Sequence, residues 1–422
     1  MTTPRASLTL APFRVRSFRF QWPADLFTSW ASEMEALILG WYVLVHTGSV
    51  LLLTVFGSLH FLGTLGAPMF GVLGDRLGGR AMLCVMRAGY AALALILMLL
   101  ALAGRLTPSQ AFAVAAVAGL VRPNDPVMRN ALIGDTVPPA HFSGALSLSR
   151  TTMDSARVTG ALAGAGLFAA LGIGPAYAVV VSFYLAGLAL TFGVSRGLPV
   201  HAPGGPPEGA WGPGRGGGAS RPSHWRELQD GLVHIWTTPR LLATMWLAFL
   251  VNLTAYPMSH GLLPYVAKHV YQTSEKGLGY LIASFSAGAL LGSIAMVVSG
   301  GPRRPQRLMV VTILAWYALL LGFGHARTLT TGALLLGFGG FAQSIAVISM
   351  ATTLLAAARE RFRGRVMGVR MLAVYGLPLG LMASGLLIER MGYATTVTLY
   401  CAAGLGCTAL IAVKWRASLW GA

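Results

Sequence analysis

The stretch GVLGDRLGGR, residues 71–80, separates two long apolar runs and contains one aspartate, two arginines and four glycines. Glycines allow two helices to approach closely and the chain to turn tightly, because they have no side chain to collide with a neighbour. Asp75 can neutralise neighbouring arginines or lie at the positive N-terminal end of another helix. The stretch therefore predicts a short charged connection between two apolar helices.

The composition of the whole chain predicts that lipid is its solvent. Of the 422 residues, 55% are hydrophobic and 10% are charged, and the mean hydropathy is +0.66. A soluble globular domain carries about 25% charged residues. The net charge of +18 would suggest nucleic acid for a soluble protein. Here most basic residues lie in short loops between apolar runs, so we predict no nucleic-acid partner and membrane lipid instead.

Apolar runs of the length that crosses a bilayer, about 20 residues, occur along the entire chain. We place twelve of them at 24–46, 49–72, 80–103, 108–134, 142–170, 174–195, 239–267, 276–299, 306–325, 330–357, 366–389 and 393–415. The sequence therefore predicts an all-α integral membrane protein with twelve transmembrane helices.

One connection between these spans is long and rich in Pro, Gly and Ser, a composition typical of a flexible linker. This linker, 197–238, separates an N-terminal bundle of six helices, 1–196, from a C-terminal bundle of six helices, 239–422. With the N-terminus inside, the cytoplasmic segments hold 19 lysines and arginines and the opposite loops hold five. This asymmetry predicts that both termini and the linker are cytoplasmic.

With twelve spans in two halves, the opening stretch resembles the loop between spans 2 and 3 of the major facilitator superfamily. The family pattern Gly-x-Leu-x-Asp-Arg-x-Gly-x-Arg is matched by Gly71, Leu73, Asp75, Arg76, Gly78 and Arg80. The resemblance implies two pseudo-symmetric six-helix bundles and a gate formed by Asp75, Arg76, Gly78 and Arg80. In such a gate Asp75 binds the N-terminal end of span 11 and holds the halves together on the cytoplasmic side when the transporter opens outward.

Two further segments resemble the drug- and siderophore-exporter branch of that superfamily, which includes the enterobactin exporter. They are RERFRGRVMGVRMLAVYGLPLGLMASGLL (359–387) and LIGDTVPPAHFSGALSLSRTTMDSARVTGALAG (132–164). This resemblance implies an efflux antiporter of the bacterial inner membrane, with a multidrug type of substrate range. It specifies the family well and the substrate poorly.

Ionisable groups at bilayer depth cost a few kcal/mol or more unless they are paired or hydrated, so each is a candidate functional group. Span 1 carries Glu33 and Glu35, about 200° apart on a helix, so both cannot face one cavity. We predict Glu35, nearer the middle of the membrane, as the proton carrier, with Glu33 as the second candidate. The alternative is that one or both form structural ion pairs with arginines.

Spans 4 and 5 each carry an Arg-Asp-Arg stripe on one helical face, because the members are three and four residues apart. The stripes are Arg122, Asp125 and Arg129 in span 4 and Arg150, Asp154 and Arg157 in span 5. Each stripe has a net charge of +1, so an acidic partner is implied: Glu33, Glu35 or an anionic substrate.

Two interpretations of the stripes stay open. One is a structural ion-pair network that holds spans 4 and 5 together. The other is a functional centre in which Asp125 and Asp154 take part in proton coupling and Arg122 and Asn124 bind substrate. Pro123 and Pro126 interrupt the backbone hydrogen bonds at this point of span 4.

In the second half, Asn252 and Tyr256 of span 7 share one face, and Gln343 lies in span 10. The resemblance implies that spans 1, 4, 7 and 10 line the central cavity, which makes these three residues candidate substrate ligands. Polar contacts between helices are the alternative. Few polar groups line this half, which favours a lipophilic or amphiphilic substrate. We expect Arg87 and Arg370 to extend towards the cytoplasmic face.

No Walker A sequence and no enzyme motif occurs, so we predict neither ATP drive nor an enzyme, and no cofactor or metal. The sequence favours a monomeric secondary transporter that exports a small lipophilic or amphiphilic organic compound in exchange for protons. An importer or a flippase of lipid-like molecules with the same fold, and a membrane sensor or scaffold that transports nothing, are the alternatives.

Overall fold

The helices of the computed structural model follow the predicted spans in order. The structure describes residues 11–66, 77–138, 141–195, 235–299, 304–358 and 363–420, which contain helices and no strands. The helices are α1 Arg16–Thr47, α2 Val50–Leu59, α3 Gly79–Leu102, α4 Pro108–Val121 and Asp125–Thr136, α5 Phe142–Leu171, α6 Ile173–Thr191, α7 Pro239–Val270, α8 Glu275–Val298, α9 Pro305–His325, α10 Leu329–Ala357, α11 Arg363–Ala373 and Gly376–Met391, and α12 Tyr393–Lys414. The prediction of an all-α protein with twelve spans is confirmed.

Eight of the described helices, α3 and α6–α12, are long and apolar enough to cross a bilayer. The described part of α2 is shorter. The remaining helices, α1, α4 and α5, are those that carry the candidate ionisable groups. Their charges lower the apolar character of these helices, so the polar part of the N-terminal half is concentrated in three helices.

Very short connections between helices depend on glycines in the left-handed region. Gly48 ends α1 at φ +64°, Gly172 separates α5 from α6 at φ +79°, and Gly392 separates α11 from α12 at φ +82°. Other residues are strained at such φ angles. Ser49 then caps α2, accepting a hydrogen bond from the Leu52 N–H at 3.2 Å.

Prolines interrupt two of the helices near their middle. In α4 a 3₁₀ turn, Arg122–Asn124, which contains Pro123 and precedes Pro126, replaces regular α-helix, as the sequence predicts. In α7 the chain becomes π-helical at Pro257–Gly261 and again at Val266–Val270. Proline has no N–H and displaces the carbonyl four residues earlier, so regular hydrogen bonding stops at these places.

The two halves contact one another through α5 with α8 and through α2 with α11. Gly279 of α8 faces Ala165 of α5, where a Cβ on the glycine would lie 2.6 Å from the alanine Cβ. The Ser49 hydroxyl donates to Glu389 Oε1 at 3.1 Å. These contacts lie towards the side of the bundle where α2 begins and α11 ends, opposite to the side where α1 begins.

Within each half, glycines let neighbouring helices pack backbone against backbone. A Cβ on Gly288 of α8 would lie 1.8 Å from the carbonyl oxygen of Gly337 in α10, and a Cβ on Gly340 would lie 2.0 Å from that of Phe285. Such close approach is typical of helix packing in membranes, where small residues increase dispersion contacts.

Replacing Gly288 with alanine tests this packing. We expect Gly288→Ala to lower the free energy of unfolding by about 1–3 kcal/mol, the usual cost of overpacking, because its new methyl group collides with backbone that cannot rotate away. Gly89→Ala in α3 is the control, since no atom lies within 4 Å of its Cβ position. Melting temperatures in detergent should fall for the first variant and stay level or rise for the second. Equal melting temperatures for both would show that α8 and α10 are not so tightly packed.

Candidate functional site

The site is built around α1, whose three buried or half-buried carboxylates each pair with an arginine of a different helix. Asp25 forms an ion pair with Arg87 of α3, and Glu35 forms one with Arg122 of α4. Glu33 Oε1 lies 3.6 Å from Arg157 Nε of α5. Since unpaired charges are costly in a membrane, these pairs fix how α1 is placed against its neighbours.

Glu35 and Arg122 form an enclosed ion pair, which gives the α4 stripe one of the acidic partners that the sequence left open. The Glu35 side chain is 3% exposed and that of Arg122 is 14% exposed. The Tyr184 hydroxyl donates to Glu35 Oε2 at 2.8 Å and accepts from Arg122 Nη2 at 3.0 Å. The Tyr90 ring lies 5.8 Å from the Arg122 guanidinium carbon, a cation–π contact. Arg122 also begins the 3₁₀ turn of α4, so the ion pair lies at the point where this helix is interrupted.

Asp25 and Arg87 belong to a second buried network. The expectation that Arg87 extends towards the cytoplasmic face is wrong. Arg87 is fully buried rather than extended to the membrane surface. Its guanidinium donates to Asp25, to the Thr191 hydroxyl and to the Gly187 carbonyl oxygen. Three acceptors inside the bundle replace the water that the side chain would find at the surface.

Arg129 and Asp125 complete this network. Arg129 Nε lies 2.5 Å from Asp125 Oδ1 and 3.6 Å from Asp25 Oδ1, and its Nη1 donates to the Ser29 hydroxyl at 2.7 Å. Asp125 therefore pairs with Arg129, and the pair lies in the Asp25 network rather than beside Glu35.

Asp25 is the residue that sequence reasoning missed, although a signal for it exists. The stripes on α4 and α5 each have a net charge of +1, and Arg87 adds a third positive charge. Three excess arginines inside the membrane require three acids, whereas Glu33 and Glu35 supply two. Asp25, near the cytoplasmic end of the first predicted span, supplies the third.

The stripe on α5 is more exposed than that on α4. Asp154 lies 3.3 Å from Arg150 Nε and 3.8 Å from Arg157 Nη1, and the Arg150 side chain is 64% exposed. Among the described residues, the two stripes form no ion pair with each other. Each is tied to α1 instead, through Glu35 or Glu33. The acidic partners that the charge count required are thus the glutamates of α1.

A polar cavity of about 120 Å³ lies where α1, α3, α4, α5 and α6 meet. This volume has room for about four water molecules, since one occupies about 30 Å³. Its lining comprises Thr28, Ser29, Ser32, Glu33, Tyr90, Arg122, Asp125, Pro126, Arg129, Met153, Arg157 and Tyr184. Water in this space can connect Glu33 with Arg122 and carry protons between the ion pairs.

The candidate substrate ligands are placed differently from one another. Gln343 Nε2 donates to the Tyr256 hydroxyl at 2.7 Å, so these two residues of α10 and α7 lie together. Asn252 donates to the Ala248 carbonyl of its own helix at 2.8 Å. Asn124 is 1% exposed and donates to the Gly63 carbonyl at 3.1 Å, which ties α4 to the end of α2. In the structure Asn124 is therefore buried and bonded to this carbonyl, and it does not line the polar cavity.

Two of the four predicted gate residues lie outside the described residues. They are Asp75 and Arg76. Gly78 precedes α3 with φ +83°, which a side chain would disfavour. Arg80 Nη2 donates to the Phe192 carbonyl oxygen at 2.7 Å and so joins the start of α3 to the end of α6.

These features define a class: a polytopic membrane protein with two halves of six helices and an ion-pair network inside the first. The chain belongs to the Major Facilitator Superfamily, whose family model matches residues 24–381. It is accordingly a membrane transporter, and the resemblance stated from the loop signature is confirmed at the level of the superfamily. A search of curated proteins finds no significant match.

Solved structures of transporters share the fold. The human organic anion transporter MFSD10 is 16% identical, with a TM-score of 0.63 over 95% of this chain and 99% of that one. The nucleoside transporter NupG is 13% identical, with a TM-score of 0.67 over 95% and 98%. The peptide transporter PepTSo of the POT family is 12% identical, with a TM-score of 0.74 over 96% and 99%. At sequence identities this low, the similarity to these transporters shows a shared fold.

The Asp25 network predicts an asymmetry between two substitutions. Removing one partner of a buried ion pair costs about 3–5 kcal/mol because the other charge is left alone. Asp25→Asn leaves Arg87 without an acid, whereas Arg87→Gln leaves Asp25 with Arg129 nearby. We therefore expect Asp25→Asn to lower the melting temperature in detergent more than Arg87→Gln does. The reverse order would show that Arg129 does not act as the second partner.

Proposed function

We propose that this protein exports a small lipophilic or amphiphilic organic compound across the bacterial inner membrane in exchange for protons, as a monomer with both termini in the cytoplasm. The observation that carries the proposal is the Glu35–Arg122–Tyr184 cluster at the interruption of α4. A carboxylate enclosed in this way can exist in two forms, charged and paired or protonated and neutral. Each form favours a different position of Arg122.

Protonation of Glu35 is the proposed coupling step. When the carboxylate is neutral, it no longer holds Arg122 by charge, and Tyr184 becomes the main partner of the guanidinium. The 3₁₀ turn at Arg122–Asn124 has fewer regular helical hydrogen bonds to break than continuous helix, so the two parts of α4 can move against each other. In this proposal, water entering the cavity beside Arg122 brings the proton to the ion pair.

Movement of the two halves around the central cavity would complete the cycle. The described contacts between the halves lie on the side where α2 begins, which the charge asymmetry predicts to be the outer side. Opening to the other side would expose the face of α5 that carries Arg150. In the proposed cycle Asp75, Arg76, Gly78 and Arg80 close this inner side when the outer side opens.

Proton flux in liposomes tests the coupling step. Purified protein is reconstituted with a trapped pH-sensitive dye, a proton gradient is imposed, and lipophilic cations, neutral drugs and organic anions are added. We expect substrate-dependent proton flux in the wild type. In Glu35→Gln the flux should fall about tenfold or more, since a positioned general acid–base group raises rates by at least this factor. Glu275→Gln, at the start of α8, is the control and should keep wild-type flux.

Two outcomes would contradict this mechanism. Flux that survives in Glu35→Gln would place the proton elsewhere, with Glu33 as the next candidate. Substrate movement without proton flux in the wild type would favour an uncoupled importer or a flippase of lipid-like molecules.

The gate gives a second test, which separates a transporter from a membrane sensor or scaffold. Asp75→Asn removes the charge proposed to bind the N-terminal end of α11 when the inner side closes. We expect turnover in the liposome assay to fall at least about tenfold, the effect of losing a charge-assisted hydrogen bond, while substrate binding at equilibrium persists. Full turnover in Asp75→Asn would show that this carboxylate does not gate transport.

A further inference from the structure

Glu35 is separated from the polar cavity that would bring it protons. Its side chain is 3% exposed, and it does not belong to the described lining of that cavity, whereas Glu33, Arg122 and Tyr184 do. Transfer of a proton requires a donor and an acceptor within hydrogen-bond reach, about 2.6–3.2 Å. A group that touches both the cavity and Glu35 must therefore lie between them.

Tyr184 of α6 is such a group. It lines the cavity, and its hydroxyl donates to Glu35 Oε2 at 2.8 Å while it accepts from Arg122 Nη2 at 3.0 Å. A hydroxyl has one donor and two acceptor positions, so one lone pair of the Tyr184 oxygen remains for a proton donor in the cavity. The same oxygen can thus receive a proton on one side and release one to the carboxylate on the other.

Arg122 also lies between the cavity and Glu35, but it cannot pass a proton. A guanidinium stays protonated at every physiological pH and has no acceptor position. Its positive charge beside the Tyr184 oxygen can stabilise the negative charge that develops there as the hydroxyl proton leaves. Of the two described residues that bond to Glu35, only Tyr184 has a transferable proton.

We propose that the Tyr184 hydroxyl relays protons between the cavity and Glu35. The O–H bond of Tyr184 breaks as its proton moves to Glu35 Oε2, and a new O–H bond forms between the tyrosine oxygen and a proton released by a hydronium ion in the cavity. The hydronium becomes water, the carboxylate becomes neutral, and Tyr184 begins and ends as a neutral hydroxyl. The inference rests on the proposed function and deepens it, because it names the residue through which the coupling carboxylate receives its proton.

The relay distinguishes the two glutamates of α1. Glu33 lines the cavity itself, so it can exchange protons with cavity water directly. Glu35 depends on the hydroxyl that separates it from the cavity. Removal of this hydroxyl should therefore slow the protonation of Glu35 and leave that of Glu33 unchanged.

Infrared spectroscopy after a drop in pH measures this step without any substrate. The protein, in lipid nanodiscs, is shifted from neutral to acidic pH, and the C=O stretching band of protonated Glu35 is identified as the band that is missing in Glu35→Gln. In Tyr184→Phe we expect this band to appear at least about tenfold more slowly than in the wild type, since a positioned proton-transfer group raises rates by at least this factor. Its final intensity should equal that of the wild type, because the carboxyl group itself is unchanged.

Tyr177→Phe is the matched control. Tyr177 lies seven residues before Tyr184 on α6, about two turns away on the same face, and both residues are fully buried. The Tyr177 hydroxyl bonds to no described residue, and Tyr177 is not among the residues that line the cavity. The Glu35 band should appear in this variant at the wild-type rate.

Tyr184→Ser distinguishes a relay from a packing role. This variant loses the ring whose centroid lies 5.7 Å from that of Tyr90, but it leaves space through which cavity water can reach Glu35. The relay predicts faster protonation of Glu35 in Tyr184→Ser than in Tyr184→Phe. A packing role predicts the reverse, since phenylalanine keeps the ring. Wild-type rates in Tyr184→Phe, or slower protonation in Tyr184→Ser than in Tyr184→Phe, would overturn the relay.

The relay and the proposed function fail in different ways. If Tyr184→Phe protonates at the wild-type rate while Glu35→Gln still loses substrate-dependent proton flux in liposomes, the coupling step stands and the relay is wrong. If Tyr184→Phe slows the Glu35 band but no compound drives proton flux, the relay stands and proton-coupled transport is wrong. If the wild type shows no band that depends on Glu35, both are wrong.

Discussion

Charges inside a bilayer must find partners, and this requirement determines how the N-terminal half is assembled. Each carboxylate of α1 pairs with an arginine on a different helix: Asp25 with α3, Glu35 with α4 and Glu33 with α5. Rotating or shifting α1 alone would separate all three pairs at once. The cost of a single buried unpaired charge, about 3–5 kcal/mol, is comparable to the stability of many domains. The ion pairs therefore specify the position of α1 more strictly than apolar packing, which lipid can replace.

The C-terminal half, although built on the same plan, is held together mainly by close backbone packing. Gly288 and Gly340 bring α8 and α10 into contact at distances that exclude any side chain, and Gly380 does the same for α11 against Leu253 of α7. Dispersion contacts of this kind have little directional preference along the helix axis compared with ion pairs. The two halves thus have different roles. The first contains groups whose charge state can change, and the second provides a tightly packed apolar and aromatic wall.

The parts of this structure that sequence could predict are those set by local properties. Apolar runs predict the spans, and Pro123 and Pro126 predict the interruption of α4, because hydropathy and a missing N–H act within a few residues. Pairings between helices depend on how each helix is rotated about its axis, which no local pattern specifies. For this reason Arg87 was expected at the membrane surface and Asn124 near substrate, whereas both bond inside the bundle. A charge count over the whole half would have required Asp25; only the three-dimensional arrangement shows which arginine it meets.

In the proposed mechanism, the choice between Glu35 and Glu33 as proton carrier decides which helix responds to the proton. Glu35 is enclosed by Arg122 and Tyr184, so its protonation would weaken the ion pair between α1 and the 3₁₀ turn of α4. Glu33 is about one third exposed and lies 3.6 Å from Arg157, which also lies 3.8 Å from Asp154 of its own helix. A proton on Glu33 would leave Arg157 with Asp154 as its acid, and α5 would lose the ion pair that ties it to α1. Because α5 contacts α8 of the C-terminal half, protonation of Glu33 would act at the boundary between the halves, whereas protonation of Glu35 would act inside the N-terminal half.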